Sequence, residues 1–190
     1  VQKGQTLAII GNTGSGKSTI LELIGRLYDV QKGQIELDGE TIQNLNLNSL
    51  RSSIGFVPQD PFLFSDSLRN NIKFGKNKAS DDEVIEASKM AVVHDNITNF
   101  KNGYDTVLGE RGITLSGGQK QRISIARAFI KNPQILLLDD CLSAVDTETE
   151  EQILNNIELV TKGKTTIIVS HRISSAKNAD IIVVLNNGII

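Results

Sequence analysis

The sequence predicts an α/β fold in which helices cover both faces of a largely parallel β-sheet. Short apolar runs of the kind that form fully buried strands recur along the chain. Segments whose apolar residues have helical spacing alternate with these runs, and glycine, proline or polar residues separate them. Strands that alternate with helices form a parallel sheet with helices on each side. No internal repeat or low-complexity tract favours another architecture.

The predicted elements follow one another in a regular order. The first strand covers 6–10, and a glycine-rich turn and a helix over 17–27 come after it. The region 67–100 is predicted to be mostly helical, with a helix start at Ser80, because serine is a favourable N-cap and three acidic residues follow it. A further helix over 117–130 should end before the next proline. The remaining predicted strands cover 34–37, 54–57, 135–138, 165–169 and 181–185.

Length and composition exclude several classes of protein. The 190 residues suffice for one domain, and 39% hydrophobic with 22% charged residues is typical of a globular chain. The net charge of −2 argues against a broad nucleic-acid-binding face. A single cysteine, Cys141, excludes an internal disulfide, suits a reducing cytosol and is expected to fill space beside the site. No apolar run is long enough to cross a bilayer.

Both ends of the chain have the features of a fragment. The sequence begins at Val1, and a buried-type strand follows almost at once. Near the other end, Asn187-Gly188 favours a hairpin turn, but only two residues follow it. We therefore expect the chain to be part of a longer polypeptide.

A glycine-rich loop between the first strand and the first helix has the spacing G-x-x-x-x-G-K-[ST]. Glycines let the backbone curl so that several N–H groups point at one phosphate, and the helix adds its positive end. The lysine can reach the β- and γ-phosphates, and the hydroxyl after it can ligate Mg²⁺. The plainer alternative is an ordinary turn, but the strand before the loop and the helix after it favour nucleotide binding. The loop reads Gly11-Asn12-Thr13-Gly14-Ser15-Gly16-Lys17-Ser18, with Thr19 next.

A second candidate site residue ends the apolar run 135–138. Asp139 follows four apolar residues, at the carboxyl end of a predicted parallel strand, where such sheets bind ligands. After a phosphate-binding loop, an aspartate at this place is expected to hold Mg²⁺ directly or through water.

One motif resembles a known family. Leu115-Ser116-Gly117-Gly118-Gln119 looks like the signature motif of ABC ATPases, which are P-loop NTPases, and further motifs follow the family's order. Gln59 resembles the Q-loop glutamine, and His171 resembles the switch histidine. The resemblance implies ATP and Mg²⁺ as ligands. It also implies a helical subdomain, over about 60–115, between the Q-loop and the signature. Ser143-Ala144-Val145-Asp146 resembles the D-loop.

The family resemblance also implies roles for these residues. Gln59 is expected to contact Mg²⁺ and the attacking water, and His171 the γ-phosphate. Ser116 is a good N-cap, and Gly117 and Gly118 leave bare amides at the first turn of a helix, which suits an anion. A simple capped helix start is the alternative for this segment. In ABC proteins this turn binds ATP held by a second domain, so the resemblance implies a head-to-tail dimer.

Other residues resemble the exporter type of ABC domain. They are Pro61-Phe62-Leu63-Phe64, Asn71-Ile72, Gly75 and Glu110-Arg111-Gly112, of which Arg111 lies in a loop that exporters place near the membrane domain. Exporters usually fuse such a domain to membrane spans on the same polypeptide. The expected location is therefore the cytoplasmic side of the cell membrane, with no nucleic-acid partner. A DNA-repair or chromosome-structuring ABC ATPase is the weaker alternative, because no long coiled coil separates Lys17 from Asp139.

Two family features are missing or altered. The aromatic residue that stacks on adenine normally lies farther before the loop than this chain extends. Asp140 stands where the catalytic glutamate is usual. The alternatives are therefore a hydrolysing domain, with Asp140 as a slower base, and a mainly ATP-binding regulatory half of a heterodimer. His94 has no motif around it and is expected to be a surface or packing residue.

Overall fold

The computed structural model describes residues 1–109, 114–172 and 176–190, and the chain divides into two compact units. The sheet unit consists of Val1–Phe56, Pro133–Asp140 and Gly163–Ile190. The helical unit consists of Val57–Asn132 and Cys141–Lys162. The predicted subdomain limits of 60–115 remain a prediction.

The sheet unit contains a five-stranded sheet formed by β1 (Thr6–Gly11), β4 (Ile54–Val57), β5 (Ile135–Asp139), β6 (Thr165–Val169) and β7 (Ile181–Leu185). The order of the strands is β4-β5-β6-β1-β7. Strand β1 pairs in parallel with β6 and with β7, and β5 pairs in parallel with β6. This arrangement confirms the predicted parallel sheet. The register aligns Ile9 and Asp139 with Val169, so β1, β5 and β6 end at the same edge.

Two helices and a small hairpin complete the sheet unit. Helix α1 (Lys17–Ile24) contributes the fully buried Leu21 to the core, and α2 (Leu47–Ser53) contributes Leu50. Both pack into one apolar cluster with side chains of the sheet. The hairpin pairs β2 (Glu36–Leu37) with β3 (Glu40–Thr41) in antiparallel fashion, outside the main sheet.

Two elements are shorter in the structure than the sequence predicts. The first helix ends at Ile24 instead of 27, because Arg26 has φ 49° and the Leu27 amide donates to the Glu22 carbonyl, which closes the last turn. The strand predicted over 34–37 is reduced to its last two residues. There the backbone reverses at Asp38 and the glycine after it, both with positive φ, which is the geometry of a tight hairpin turn.

The helical unit contains the predicted helices of the region 67–100 and one helix that was not predicted. Side chains of Ser67, Ser80, Ser116 and Asp146 accept a hydrogen bond from the first turn of their helices. The core is formed by fully buried apolar side chains of these helices, such as Leu68, Val84 and Ile123. The helices are α3 (Leu68–Lys73), α4 (Asp81–Met90), α5 (His94–Thr98), a 3-10 turn (Gly103–Asp105), α6 (Gly117–Phe129) and the unexpected α7 (Thr147–Val160).

The predicted turn near the end of the chain is present. Asn187 and Gly188 have φ values of 49° and 78°, and Asn186 pairs with Ile189 across the turn. Among the described residues, no helix has the length and apolar character that crossing a membrane would require.

Candidate functional site

The glycine-rich loop joins β1 to α1 at the carboxyl edge of the sheet. Gly11 lies against β7, where a Cβ atom would come within 2.2 Å of the Leu185 carbonyl oxygen, so only glycine fits. Gly16 caps α1 with φ 98°, a left-handed conformation that favours glycine. A Cβ on Gly14, which has φ 79°, would meet no atom within 4 Å, so there is open space beside the loop at this residue.

Lys17 lies at the start of α1 with only 5% of its surface exposed. Its ammonium group donates to the carbonyl oxygens of Gly11 and Asn12, both at 2.8 Å. These bonds fold the side chain back across the loop. The cation is therefore held beside the backbone of the loop at Gly11 and Asn12.

The next residue of α1 connects the loop to β5. The Ser18 hydroxyl donates to a carboxylate oxygen of Asp139 at 3.0 Å, and Asp139 is 5% exposed. Burial is the main cause that raises the pKa of Asp139 above its usual value, and the charges of Asp140 and Glu22 add to it. The Ser18 hydrogen bond and the Lys17 charge oppose that rise. A divalent cation would relieve this unfavourable carboxylate charge.

The groups at this edge fit a magnesium–nucleotide complex. The Ser15 hydroxyl is buried in the loop and has no hydrogen-bond partner, although burial of an unpaired hydroxyl is costly. Phosphate oxygens in the open loop would supply an acceptor. Within the described ranges no three His, Cys, Asp or Glu side chains form a metal cluster. The Ser18 hydroxyl and the Asp139 carboxylate are oxygen ligands, and Mg²⁺ usually takes one or two protein ligands together with phosphates and water.

Two predicted catalytic residues also follow strands at this edge. The Asp140 amide donates to the Val169 carbonyl at 2.9 Å, and Asp140 has φ 41°, a conformation that aspartate tolerates better than most residues. The Ser170 amide donates to the Ile9 carbonyl at 3.3 Å, so His171 leaves β6 beside β1 with an exposed side chain. The sheet unit therefore brings both residues to the edge that carries the loop.

The signature segment opens α6 in the helical unit. The Ser116 hydroxyl accepts from the Gln119 amide at 3.2 Å, and the Gln119 side chain accepts from the Ser116 amide at 3.0 Å. This reciprocal pair is a capping box. Ser116 and Gly117 are exposed, so the first turn presents backbone amides to solvent. The predicted helix start and its anion-binding character both fit this geometry.

Gln59 lies on a groove within the helical unit. The groove has a volume of about 390 Å³, and Gly117 of the signature turn and Ser143 and Ala144 of the D-loop also line it. The structure thus brings three predicted motifs together in this unit. The predicted contacts of Gln59 to Mg²⁺ and water remain predictions. The exporter-type residues Glu110, Arg111 and Gly112 lie outside the described residues.

Sequence reasoning missed the contacts between the signature helix and the D-loop. Gln121 bonds to both Ser143 and Ala144, which no local pattern indicates. It also missed α7, although local signals are present. Asp146 caps the helix by accepting from the Thr149 amide, and Ile153 and Ile157 follow at helical spacing. His94 bonds to the Tyr104 hydroxyl at 2.8 Å, as expected of a packing residue.

Comparison with known proteins identifies the same family. A family model described as ABC transporter matches residues 1–143. Heavy metal tolerance factor 1 of Caenorhabditis elegans is 50% identical over 190 residues, which is 100% of this chain and 24% of that protein. ATP-binding cassette sub-family B member 6 of Xenopus tropicalis is 52% identical over 188 residues, which is 99% of this chain and 22% of that protein.

Further relatives agree. A putative multidrug export ATP-binding/permease protein of Staphylococcus aureus is 52% identical over 188 residues, 99% of this chain and 32% of that protein. The solved structure of a bacterial Atm1-family ABC exporter with ATP bound matches with a TM-score of 0.94 and 47% identity, over 97% of this chain and 33% of that one. The chain thus spans about a quarter to a third of these relatives. It belongs to the ABC transporter family, as the nucleotide-binding domain of an exporter-type member.

Proposed function

We propose that this domain binds Mg-ATP and hydrolyses it to power export across a membrane. The observation that carries the proposal is the pair formed by Ser18 and Asp139 at 3.0 Å, next to a loop that holds the buried Lys17. A hydroxyl and a carboxylate are suitable Mg²⁺ ligands, and the lysine suits phosphate oxygens. Bound Mg²⁺ would neutralise charge that develops on the β- and γ-phosphates.

The residues of the chain would divide the work among themselves. Lys17 and the amides of the loop orient the phosphates, and Ser18 and Asp139 hold the metal. Asp140 is the candidate base for the attacking water. Gln59 would contact the metal and the attacking water, and His171 would contact the γ-phosphate. Both roles rest on the family resemblance and on the motifs of these residues.

The signature turn would act on a nucleotide held by a second domain. Ser116 and Gly117 are exposed, and no acidic side chain lies in the first turn of α6, so its backbone amides and the helix dipole can act on an anion. We propose a head-to-tail dimer in which Ser116 to Gln119 of each domain close on the γ-phosphate bound by the other domain. Membrane spans on the same polypeptide and a position on the cytoplasmic side of the membrane complete the proposal, since the relatives are three to four times longer than this chain.

A slow, mainly regulatory site is the second candidate function, because Asp140 replaces glutamate. The aspartate side chain is shorter by about one C–C bond, roughly 1.5 Å. The bond from the Asp140 amide to the Val169 carbonyl ties its backbone to β6, which opposes a shift toward the phosphates. A misplaced base can cost about a hundredfold in rate. In such a heterodimer the intact signature would serve the nucleotide of a competent partner.

Light scattering with and without Mg-ATP tests the proposed dimer. The chain should be monomeric without nucleotide and should form an ATP-dependent dimer with it. Ser116→Arg should block the dimer, because the long side chain fills the space for the γ-phosphate. Ser49→Arg, at an exposed serine of α2, is the control for added charge and should dimerise as the wild type does. The same oligomer with and without Mg-ATP in the wild type contradicts the proposal.

A further inference from the structure

The side chain of Gln121 joins the signature helix to the D-loop. Gln121 lies in the second turn of α6 and is 5% exposed. Its amide nitrogen donates to the Ser143 hydroxyl at 3.3 Å, and its amide oxygen accepts from the Ala144 backbone N–H at 3.1 Å. One buried amide group therefore holds two consecutive residues of the loop.

The backbone of the helix also contacts this loop closely. A Cβ atom on Gly118 would come within 2.7 Å of the Ala144 carbonyl oxygen, so the loop carbonyl lies directly on the helix at this point. A Cβ on Gly117 would lie at an ordinary 3.4 Å from the Ala144 side chain. Ala144 is thus held on its N–H side by Gln121 and on its carbonyl side by contact with Gly118.

We propose that Gln121 is a positioning residue, whose amide keeps the D-loop fixed to the turn that faces the nucleotide of the second domain. The inference rests on the proposed function, since it concerns how accurately the signature turn and the D-loop of one domain are positioned against the second domain of the dimer. Loop and helix start then move as one piece when the dimer closes.

The exposure of the loop separates this role from a general role in stability. Ser143 and Ala144 are exposed, so water can replace Gln121 as a partner of the Ala144 amide. Loss of the glutamine should therefore loosen the loop without unfolding the helical unit. Only a side chain that can accept from the Ala144 amide preserves the link, which glutamate can do and methionine cannot.

Hydrogen exchange at the Ala144 amide in the complete protein tests the link directly. We expect Gln121→Met to speed exchange at Ala144 about tenfold, the loss expected for one hydrogen bond. The neighbouring Val145 amide, which donates to the Leu142 carbonyl, should stay protected. Gln121→Glu should retain the protection at Ala144. Gln152→Met, at an exposed glutamine of α7, is the matched control and should change nothing. Unchanged protection of Ala144 in Gln121→Met overturns the proposal.

Mg-ATP-driven association tests the consequence for the site. Gln121→Met should weaken association about tenfold, while the affinity of the chain's own loop for ATP stays within about twofold, because its bonds do not involve Gln121. Equal association of Gln121→Met and wild type overturns the positioning role. If the wild type itself does not associate, the proposed dimer is wrong, and the exchange at Ala144 still decides whether Gln121 holds the loop.

Discussion

The sheet unit and the helical unit offer different kinds of groups to a phosphate. In the sheet unit the site contains charged side chains, and each is fixed by hydrogen bonds: Lys17 to two carbonyls, Asp139 to Ser18. In the helical unit the signature turn offers exposed backbone amides at a capped helix start. Its capping side chains, Ser116 and Gln119, are neutral and bond to the turn itself.

This difference indicates where affinity and assembly reside. A helix N-terminus stabilises an anion by only about 0.3–1 kcal/mol when it is exposed. A buried lysine contributes a full positive charge, and a hydroxyl with a carboxylate adds two oxygen ligands for a metal. We therefore expect the sheet unit to determine ATP affinity and the helical unit to determine whether two domains close on ATP.

Removal of the Lys17 side chain from the sheet unit should have the largest effect on ATP turnover. Lys17→Ala removes the cation at the β- and γ-phosphates, so ATP turnover in the complete protein should fall by about a hundredfold or more. Lys32→Ala, at an exposed lysine outside the site, is the control and should keep wild-type turnover. Normal turnover in Lys17→Ala would mean that the loop is not the nucleotide site.

The second test concerns the rate of hydrolysis at the same edge. If the shorter side chain makes the site slow, Asp140→Glu should speed single-turnover hydrolysis about tenfold or more. Asp140→Asn should then change little, because little base catalysis remains to be lost. Abolished turnover in Asp140→Asn, with no gain in Asp140→Glu, would instead identify Asp140 as a working base. ATP affinity, measured in parallel, should not change in either variant.

The sheet unit was the more predictable from sequence, because its signals are local. A strand, a loop of fixed spacing and a helix follow one another in the chain, and the parallel register of β1, β5 and β6 then places Asp139 at the edge where the loop lies. The signature turn was predictable for the same reason, since Ser116 and Gln119 are three residues apart and form their bonds within one turn.

Helix α7 was missed although its cap and apolar spacing are local signals, whereas the other missed features depend on contacts distant in sequence or on backbone conformation. Gln121 and Ala144 are 23 positions apart, so no periodicity indicates their hydrogen bond. The left-handed conformation of Asp140 follows from its place after a strand, where its amide bonds to Val169, and not from its residue type alone. The first helix was predicted too long because Leu27 continues the apolar spacing, whereas the turn closes at Gly25 and Arg26.

A matched pair of glycines in the helical unit tests how tightly the D-loop lies on the signature helix. Gly118→Ala would place a Cβ at 2.7 Å from a backbone oxygen, whereas Gly117→Ala would place one at 3.4 Å from a side chain. Overpacking against backbone costs about 1–3 kcal/mol, which lowers Tm by roughly 2–10 °C for a chain of this size. Gly117→Ala should keep or raise Tm, because alanine favours a helix. The Tm values are measured by thermal unfolding of the nucleotide-free chain. Equal Tm values for the two variants would contradict the close contact between Gly118 and the D-loop.

The smallest expected effect concerns the cost in folding stability of the buried, charged carboxylate of Asp139. Burial raises the pKa of Asp139 above the ordinary 3.8, so the folded protein holds this proton more tightly than the unfolded chain does. Stability therefore falls as pH rises from 3.8 through the raised pKa, and the full penalty is present at neutral pH. Asp139→Asn removes the penalty and should raise Tm of the nucleotide-free chain at pH 7 by about 1–3 °C, with no gain near pH 3.

Two comparisons make this last prediction specific to the site. The pKa of Asp146 is lowered by its hydrogen bonds to Thr149 at the start of α7, so its charge favours folding, and Asp146→Asn should not raise Tm at pH 7. With Mg-ATP the wild type should have a higher Tm than Asp139→Asn. A molecule that binds the folded state stabilises it, and only the wild type retains the carboxylate proposed to bind Mg²⁺. If Asp139→Asn is less stable than the wild type without nucleotide, the buried carboxylate is not a stability cost. A gain that persists with saturating Mg-ATP would mean that Asp139 does not hold the metal.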